Sequence, residues 1–81
     1  MELRTVCSTW YEAIQIRAFG CKLSNTYSSK REAQKAITET NINAVKQGYQ
    51  PDEYYIMLCN LVRMIDDNGD VVSETVTRVR V

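Results

Sequence analysis

The sequence predicts an α+β domain in which an antiparallel β-sheet carries one α-helix on one face, in the order ββαββ with a C-terminal β-hairpin. Three observations predict it. A capped helical segment occupies the middle of the chain, two β-rich runs flank an Asn-Gly pair after it, and apolar residues alternate before it. Three glycines and one proline in 81 residues are too few for a linker, so residues 1–81 are predicted to form a single domain.

The N-terminal segment is predicted to form two strands, one on each side of Thr9. Ile14, Ile16 and Ala18 alternate with polar residues, as in a strand that buries one face. A helix is the alternative, because Thr9 and Glu12 have the spacing of a capping box. The alternation favours strands.

The central helix is predicted to begin at a capping box formed by Ser29 and Glu32, each side chain accepting a hydrogen bond from the amide of the other residue. Gly48 is predicted to end the helix, and Pro51 prevents its resumption. One stripe of the helix is predicted to pack on the sheet: Ala33, Ala36, Ile37, Thr40, Ala44 and Val45. The opposite side is predicted to face solvent with Lys30, Arg31, Lys35, Glu39 and Lys46.

Residues 54–65 and 71–81 are predicted to pair as a hairpin, because Asn68-Gly69 between them tolerates the positive φ of a type I′ turn. Residues 54–65 also match the apolar face of a helix that would start near Pro51. Their aromatic and β-branched side chains favour the strand.

As a strand, residues 54–65 have two apolar faces. One carries Tyr54, Ile56, Leu58, Val62 and Met64; the other carries Tyr55, Met57, Cys59, Leu61 and Ile65. A single helix covers only one of them. The second face is therefore predicted to meet a loop, another copy of the chain or a foreign protein. The alternative is a central strand whose second face is covered by the N-terminal segment.

The last strand is predicted to be an edge strand with a bulge or a twist between Val76 and Val79, because its apolar phase shifts from Val72 and Val76 to Val79 and Val81. An exposed edge beside an apolar strand predicts a homodimer through the C-terminal hairpin, although Arg78 and Arg80 would repel their copies. Proline in place of Thr77 is expected to remove an edge amide and dissociate such a dimer.

Cysteine usage predicts reduced thiols and a cytoplasmic protein. Cys7, Cys21 and Cys59 form an odd set without a Cys-x-x-Cys pair, and the chain has no histidine. A buried structural thiol is the ordinary role for each, and only Cys21, beside Lys22, has a basic neighbour that favours reactivity. The N-terminus lacks the pattern of a secretory signal, and no apolar run reaches membrane-spanning length.

The sequence offers no arrangement typical of a catalytic, cofactor or metal site. Nucleophile motifs and phosphate-binding glycine loops are absent. Asp66, Asn68 and Asp70 have the spacing that opens a calcium loop, but Val71 and Thr77 stand where glycine and a bidentate glutamate are required. We therefore predict a non-enzymatic protein without cofactor or metal.

The formal net charge is zero, which argues against a general polyanion binder. Residues 1–48 carry seven basic and four acidic side chains, net +3, and residues 49–81 carry three and six, net −3. Nucleic-acid binding is the alternative function. It would use basic side chains interleaved with aromatic ones: Arg17, Lys22, Lys30, Arg31 and Lys35 with Trp10, Tyr11, Phe19 and Tyr27.

Protein binding is the function that the sequence favours. The predicted partner-binding residues are Lys30, Arg31 and Lys35 on the helix and Tyr55, Met57 and Leu61 on the second apolar face. In size, absence of catalytic residues and helix-on-sheet layout, the chain resembles the small proteins that bacteriophages encode to block or redirect host machinery, including anti-defence inhibitors. The resemblance implies an inhibitor or adaptor that occludes a larger partner, and it implies no functional residues.

Overall fold

A computed structural model describes residues 2–16, 23 and 25–81. It contains strand β1 (Arg4–Gln15), helix α1 (Lys30–Lys46), strand β2 (Tyr54–Ile65) and strand β3 (Val71–Arg80). The strands form one antiparallel sheet in the order β1-β2-β3, so that β2 is central. The α+β class and the antiparallel sheet are confirmed, and the element order is βαββ rather than the predicted ββαββ.

The N-terminal difference has a specific cause at Thr9. Instead of separating two strands or starting a helix, Thr9 lies within the continuous strand β1 and pairs with Asn60 of β2. The Thr9 Oγ1 donates a hydrogen bond to the Asn60 Oδ1 at 2.6 Å. The backbone pairing keeps Thr9 extended, and the side-chain bond adds a second link between the two strands. Arg17 and Ala18, which belonged to the predicted second strand, lie outside the described residues.

Both ends of α1 are fixed by local hydrogen bonds. At the N-terminus the Ser29 Oγ accepts from the Glu32 amide at 3.1 Å, as predicted. The Glu32 carboxylate, however, accepts from the Ser28 hydroxyl at 2.6 Å rather than from the Ser29 amide. At the C-terminus Gly48 has φ of 87°, and the Tyr49 amide donates to the Ala44 carbonyl at 2.9 Å. These bonds, with that from the Gly48 amide to the Val45 carbonyl, form a Schellman motif.

The connection between β2 and β3 is wider than a two-residue turn. The Gly69 amide donates to the Asp66 carbonyl at 3.1 Å, and the Asp66 amide donates to the Asp70 carbonyl at 2.9 Å. Gly69 has φ of 85°, the pattern of a three-residue loop with a glycine bulge rather than a type I′ turn. The Asp66 carboxylate stabilises the wider loop by accepting from the Asn68 and Asp70 amides. The bulge in the β2–β3 ladder lies next to this loop, opposite Met64 and Ile65, and not between Val76 and Val79 as predicted.

The buried core occupies one end of the sheet. Ala33 and Ile37 of α1 pack on Ala13 and Ile56, and aromatic side chains surround this contact. Among the described residues α1 contacts β1 and β2 but not β3. A helix of 17 residues is about 26 Å long, whereas a strand of 12 residues reaches about 40 Å, so the sheet extends well past its helix.

The part of the sheet beyond the helix is named the distal ribbon here and comprises residues 4–9, 60–65 and 71–77. It gives the molecule its elongated shape, with a longest dimension of 59 Å against 22 and 20 Å. The predicted helix stripe is correct for its buried members, but Val45 is 57 % exposed, because the last turn of α1 lies beyond the core contact.

Candidate protein-binding surface

The strand register sorts the sheet into two faces. Residues paired across the ladder share a face, and Ala13 and Ile56, which pack on α1, define the helix-side face. The predicted division of β2 into two sets of apolar residues agrees with this register. The opposite face is named the open face. Its residues are Arg4, Val6, Ser8, Trp10, Glu12 and Ile14 of β1; Tyr55, Met57, Cys59, Leu61, Arg63 and Ile65 of β2; and Glu74, Val76, Arg78 and Arg80 of β3.

The centre of the open face is a polar cluster around a buried carboxylate. Glu12 is only 4 % exposed. Its Oε2 accepts from the Trp10 Nε1 at 3.3 Å, and its Oε1 accepts from the Arg78 Nε at 3.4 Å. The Cys59 thiol donates to the same Oε1 at 3.4 Å. A buried charge is tolerated when it is paired and hydrogen-bonded, so this cluster links all three strands and orients Trp10 and Arg78.

The cluster suppresses thiol reactivity at Cys59. Burial raises the pKa of the Cys59 thiol, and the hydrogen bond to Glu12 raises this pKa further. The protonated thiol is a poor nucleophile. Cys7 is exposed and lies on the helix-side face, where it pairs with Val62. Cys21, the one cysteine with a basic neighbour in the sequence, and Lys22 lie outside the described residues.

Charged side chains border the open face along β3. The Arg80 guanidinium lies over the Tyr55 ring, 4.8 Å from its centroid. Farther along the sheet, the Arg63 Nη2 lies 3.0 Å from the Glu74 Oε2, and both side chains are partly exposed. These contacts pair the charges of Arg63 and Glu74 within one chain and place a cation against the Tyr55 ring.

The distal ribbon exposes apolar side chains on both faces. Val6 and Val76, on the open face, are 39 % and 40 % exposed, and Val62, on the helix-side face, is 40 % exposed. Val71 and Val72, at the bulge, are about half exposed. No residue that the structure describes packs over either face of this ribbon as α1 packs over Ala13 and Ile56.

The structure separates the predicted partner-binding residues into two groups. Tyr55, Met57 and Leu61 share the open face, where each is half-buried. The other three, Lys30, Arg31 and Lys35, are exposed on α1, which covers the opposite side of the sheet. The two groups do not form one continuous surface. The sequence did not indicate Val6 or the buried Glu12 as site residues. The face of the sheet on which each lies depends on its pairing partner in β2.

The described residues offer little that would favour another kind of site. They contain no group of three His, Cys, Asp or Glu side chains placed to hold a metal ion. No helix in the described part of the chain has both the length and the apolar character needed to cross a membrane. Trp10 lies on the open face, away from the basic side chains of α1, and Arg17 and Phe19 lie outside the described residues.

Comparisons of the chain with protein-family models, with curated proteins and with solved structures give no match.

Proposed function

We propose that this chain is a non-enzymatic protein-binding module, a small inhibitor or adaptor that acts by occluding a larger partner. The observation that carries the proposal is the distal ribbon, whose apolar side chains are exposed on both faces of the sheet. Apolar side chains exposed on a surface that no described element covers are typical of interaction sites. We extend the proposal to the phage-encoded, host-directed or anti-defence type of inhibitor, supported by the general resemblance in size and layout.

The open face has the composition of a protein interface. Apolar side chains such as Leu61 and Val76 lie between the polar cluster around Glu12 and the charged pair of Arg63 and Glu74. Apolar side chains bordered by polar ones are the usual anatomy of a binding patch. Because the Glu12 cluster holds Trp10 and Arg78 in place, a partner meets side chains that are already ordered, which lowers the entropy lost on binding.

A cytoplasmic location belongs to the same proposal. Cys7 and Cys59 lie on opposite faces of the sheet, so they are not placed to form a disulfide with each other. This arrangement supports a role in a reducing compartment.

Site-specific photocrosslinking in cells that naturally contain the protein tests the proposal. A photoreactive phenylalanine analogue at Val6, on the open face, is expected to trap a discrete foreign protein after irradiation. The matched control carries the same analogue at Thr38, an exposed position of α1, and is expected to give no such adduct. Equal adducts from both positions, or adducts only at twice the chain mass, would exclude the distal ribbon as a foreign interface.

The same experiment tests nucleic-acid binding, the alternative function. If nuclease treatment before irradiation abolishes the Val6 adduct, nucleic acid bridges the two proteins and the alternative is favoured.

A second experiment tests the predicted binding residues on α1 by reversing the charges of Lys30, Arg31 and Lys35. The fold is expected to remain intact because all three are exposed, and a partner with an acidic surface would associate more slowly.

A further inference from the structure

The outer edge of β3 carries unpaired backbone groups. β3 pairs with β2 on one side, and no described residue pairs with its other side. The Val81 amide donates to the Ile56 carbonyl at 2.9 Å. Since backbone groups alternate in direction along a strand, Thr75, Thr77 and Val79 also point toward β2. The amides and carbonyls of Glu74, Val76, Arg78 and Arg80 therefore point outward, where another strand can pair with them.

We propose that the occupant of this edge is a second copy of the chain, paired antiparallel through β3 with its twofold axis at Val76. Two identical antiparallel strands are related by an axis perpendicular to the sheet, and residues directly opposite each other must share a face. Such an axis passes through a residue position. Val76 is equidistant from Ser73 and Val79 along the chain, so this register pairs the part of the strand that follows the bulge at Val72, and Val76 presents its own amide outward.

The charges select the same register. With the axis at Val76, Glu74 lies opposite the partner's Arg78, and the same pair recurs on the other side of the axis. An axis at Thr75 sets Glu74 opposite the partner's Val76, and an axis at Arg78 brings two arginines together. An axis at Thr77 sets Glu74 opposite the partner's Arg80, which already lies over the Tyr55 ring, and leaves Val76 opposite the partner's Arg78. Opposite charges directly across a ladder stabilise the pairing, and like charges destabilise it.

Two ion pairs within each chain continue the alternation of charges away from the proposed interface. Glu74 already lies 3.0 Å from Arg63, and Arg78 lies 3.4 Å from Glu12. Glu74 and Arg78 retain side-chain exposures of 44 % and 54 %, so each is free to meet a further opposite charge. In the paired sheet the order along this row is Arg63, Glu74, then the partner's Arg78 beside the partner's Glu12. The like-charge repulsion expected from the sequence at Arg78 is thereby replaced by attraction.

The apolar and β-branched side chains of β3 fit the same arrangement. Val76 meets the partner's Val76 on the open face, and Thr75 meets the partner's Thr77 on the helix-side face. These side chains favour strand pairing. The dimer goes beyond the proposed foreign partner and does not depend on it. Because the axis is perpendicular to the sheet, both open faces lie on the same side of the dimer.

A proline at the edge tests the pairing while sparing the fold. Val76→Pro removes an outward amide that makes no bond to β2. The Thr77 amide points toward β2, so Thr77→Pro, the variant suggested by the sequence, would damage the β2–β3 ladder instead. Sedimentation equilibrium from about 1 to about 500 µM covers the affinity range of an interface of small area. The unmodified chain is expected to shift from 9.3 kDa toward twice that mass, and Val76→Pro to remain at 9.3 kDa. Val76→Thr, which keeps the amide, is the matched control and is expected to dimerise.

A charge-swapped variant tests the register without altering the backbone. In the double variant Arg63→Glu with Glu74→Arg, the pair within one chain is kept in reversed order, but position 74 now repels the partner's Arg78. The dimer dissociation constant is expected to rise roughly tenfold, since two attractive pairs become repulsive. An unmodified chain that stays at monomer mass throughout overturns the proposal. A double variant that dimerises as well as the unmodified chain overturns the Val76 register.

Discussion

Replacing Ile56 and Val62 with threonine, one at a time, compares the two ends of the sheet. Both residues lie on the helix-side face of β2, but Ile56 is 4 % exposed and Val62 is 40 % exposed. Ile56→Thr removes a methylene-sized group, about 0.8 kcal/mol, and buries a hydroxyl, about 1–3 kcal/mol. The expected loss in the free energy of unfolding is therefore about 2–4 kcal/mol. For Val62→Thr, which keeps the branched shape, the expected change is within about 0.5 kcal/mol.

Urea denaturation followed by circular dichroism measures the difference. At a slope of about 1 kcal/mol per molar urea, Ile56→Thr should lower the midpoint by about 2–4 M. A domain of 81 residues has a total stability of roughly 4–12 kcal/mol, so the buried substitution removes a large share of it. Equal losses for the two variants would show that the distal ribbon is covered, and the reasoning for a protein-binding surface would then be wrong.

Three further predictions concern local contacts. Ser29→Ala should reduce the free energy of unfolding by about 1 kcal/mol, because the Oγ caps the Glu32 amide, and an unchanged urea midpoint would contradict this. Hydrogen bonds from Ser28 lower the pKa of Glu32 below 4.5, so their stabilisation is present above pH 4.5 and is lost as the pH falls through the folded pKa. NMR titration should show this pKa returning toward 4.5 in Ser28→Ala. With Cys21 replaced by serine, Cys7 should react with a thiol reagent much faster than Cys59, and equal rates would refute the burial of Cys59.

Features that depend on neighbouring residues were predictable from the sequence. The start of α1 at Ser29 and its end at Gly48 rest on hydrogen bonds within a few residues. The strand assignment of residues 54–65 likewise rests on their own aromatic and β-branched side chains, and their division into two faces follows from the period of two in a strand. The loop between β2 and β3 was located correctly, but its width was set by the Asp66 carboxylate, which the Asn-Gly signal does not include.

Features that depend on distant residues were not predictable. Nothing near Thr9 indicates that it pairs with Asn60, so the single strand β1 was mistaken for two. The position of the helix along the sheet is also a tertiary property. Periodicity indicates which stripe of α1 packs but not how much of the sheet lies beyond it. For this reason the sequence indicated an apolar second face, whereas exposure of both faces in the distal ribbon required the structure.

The order of the strands has a consequence for folding kinetics. β2 and β3 are neighbours in sequence, and a hairpin of this kind forms in about 1–10 µs. β1 pairs with β2 only after the chain containing α1 has closed back on itself, a slower step because the contacts are far apart in sequence. Until then the second edge of β2 is unpaired and its apolar residues are exposed to other chains. Association between chains then competes with the pairing of β1, so we expect the yield of refolded protein to fall as the chain concentration rises. Rapid dilution at a series of chain concentrations measures this yield.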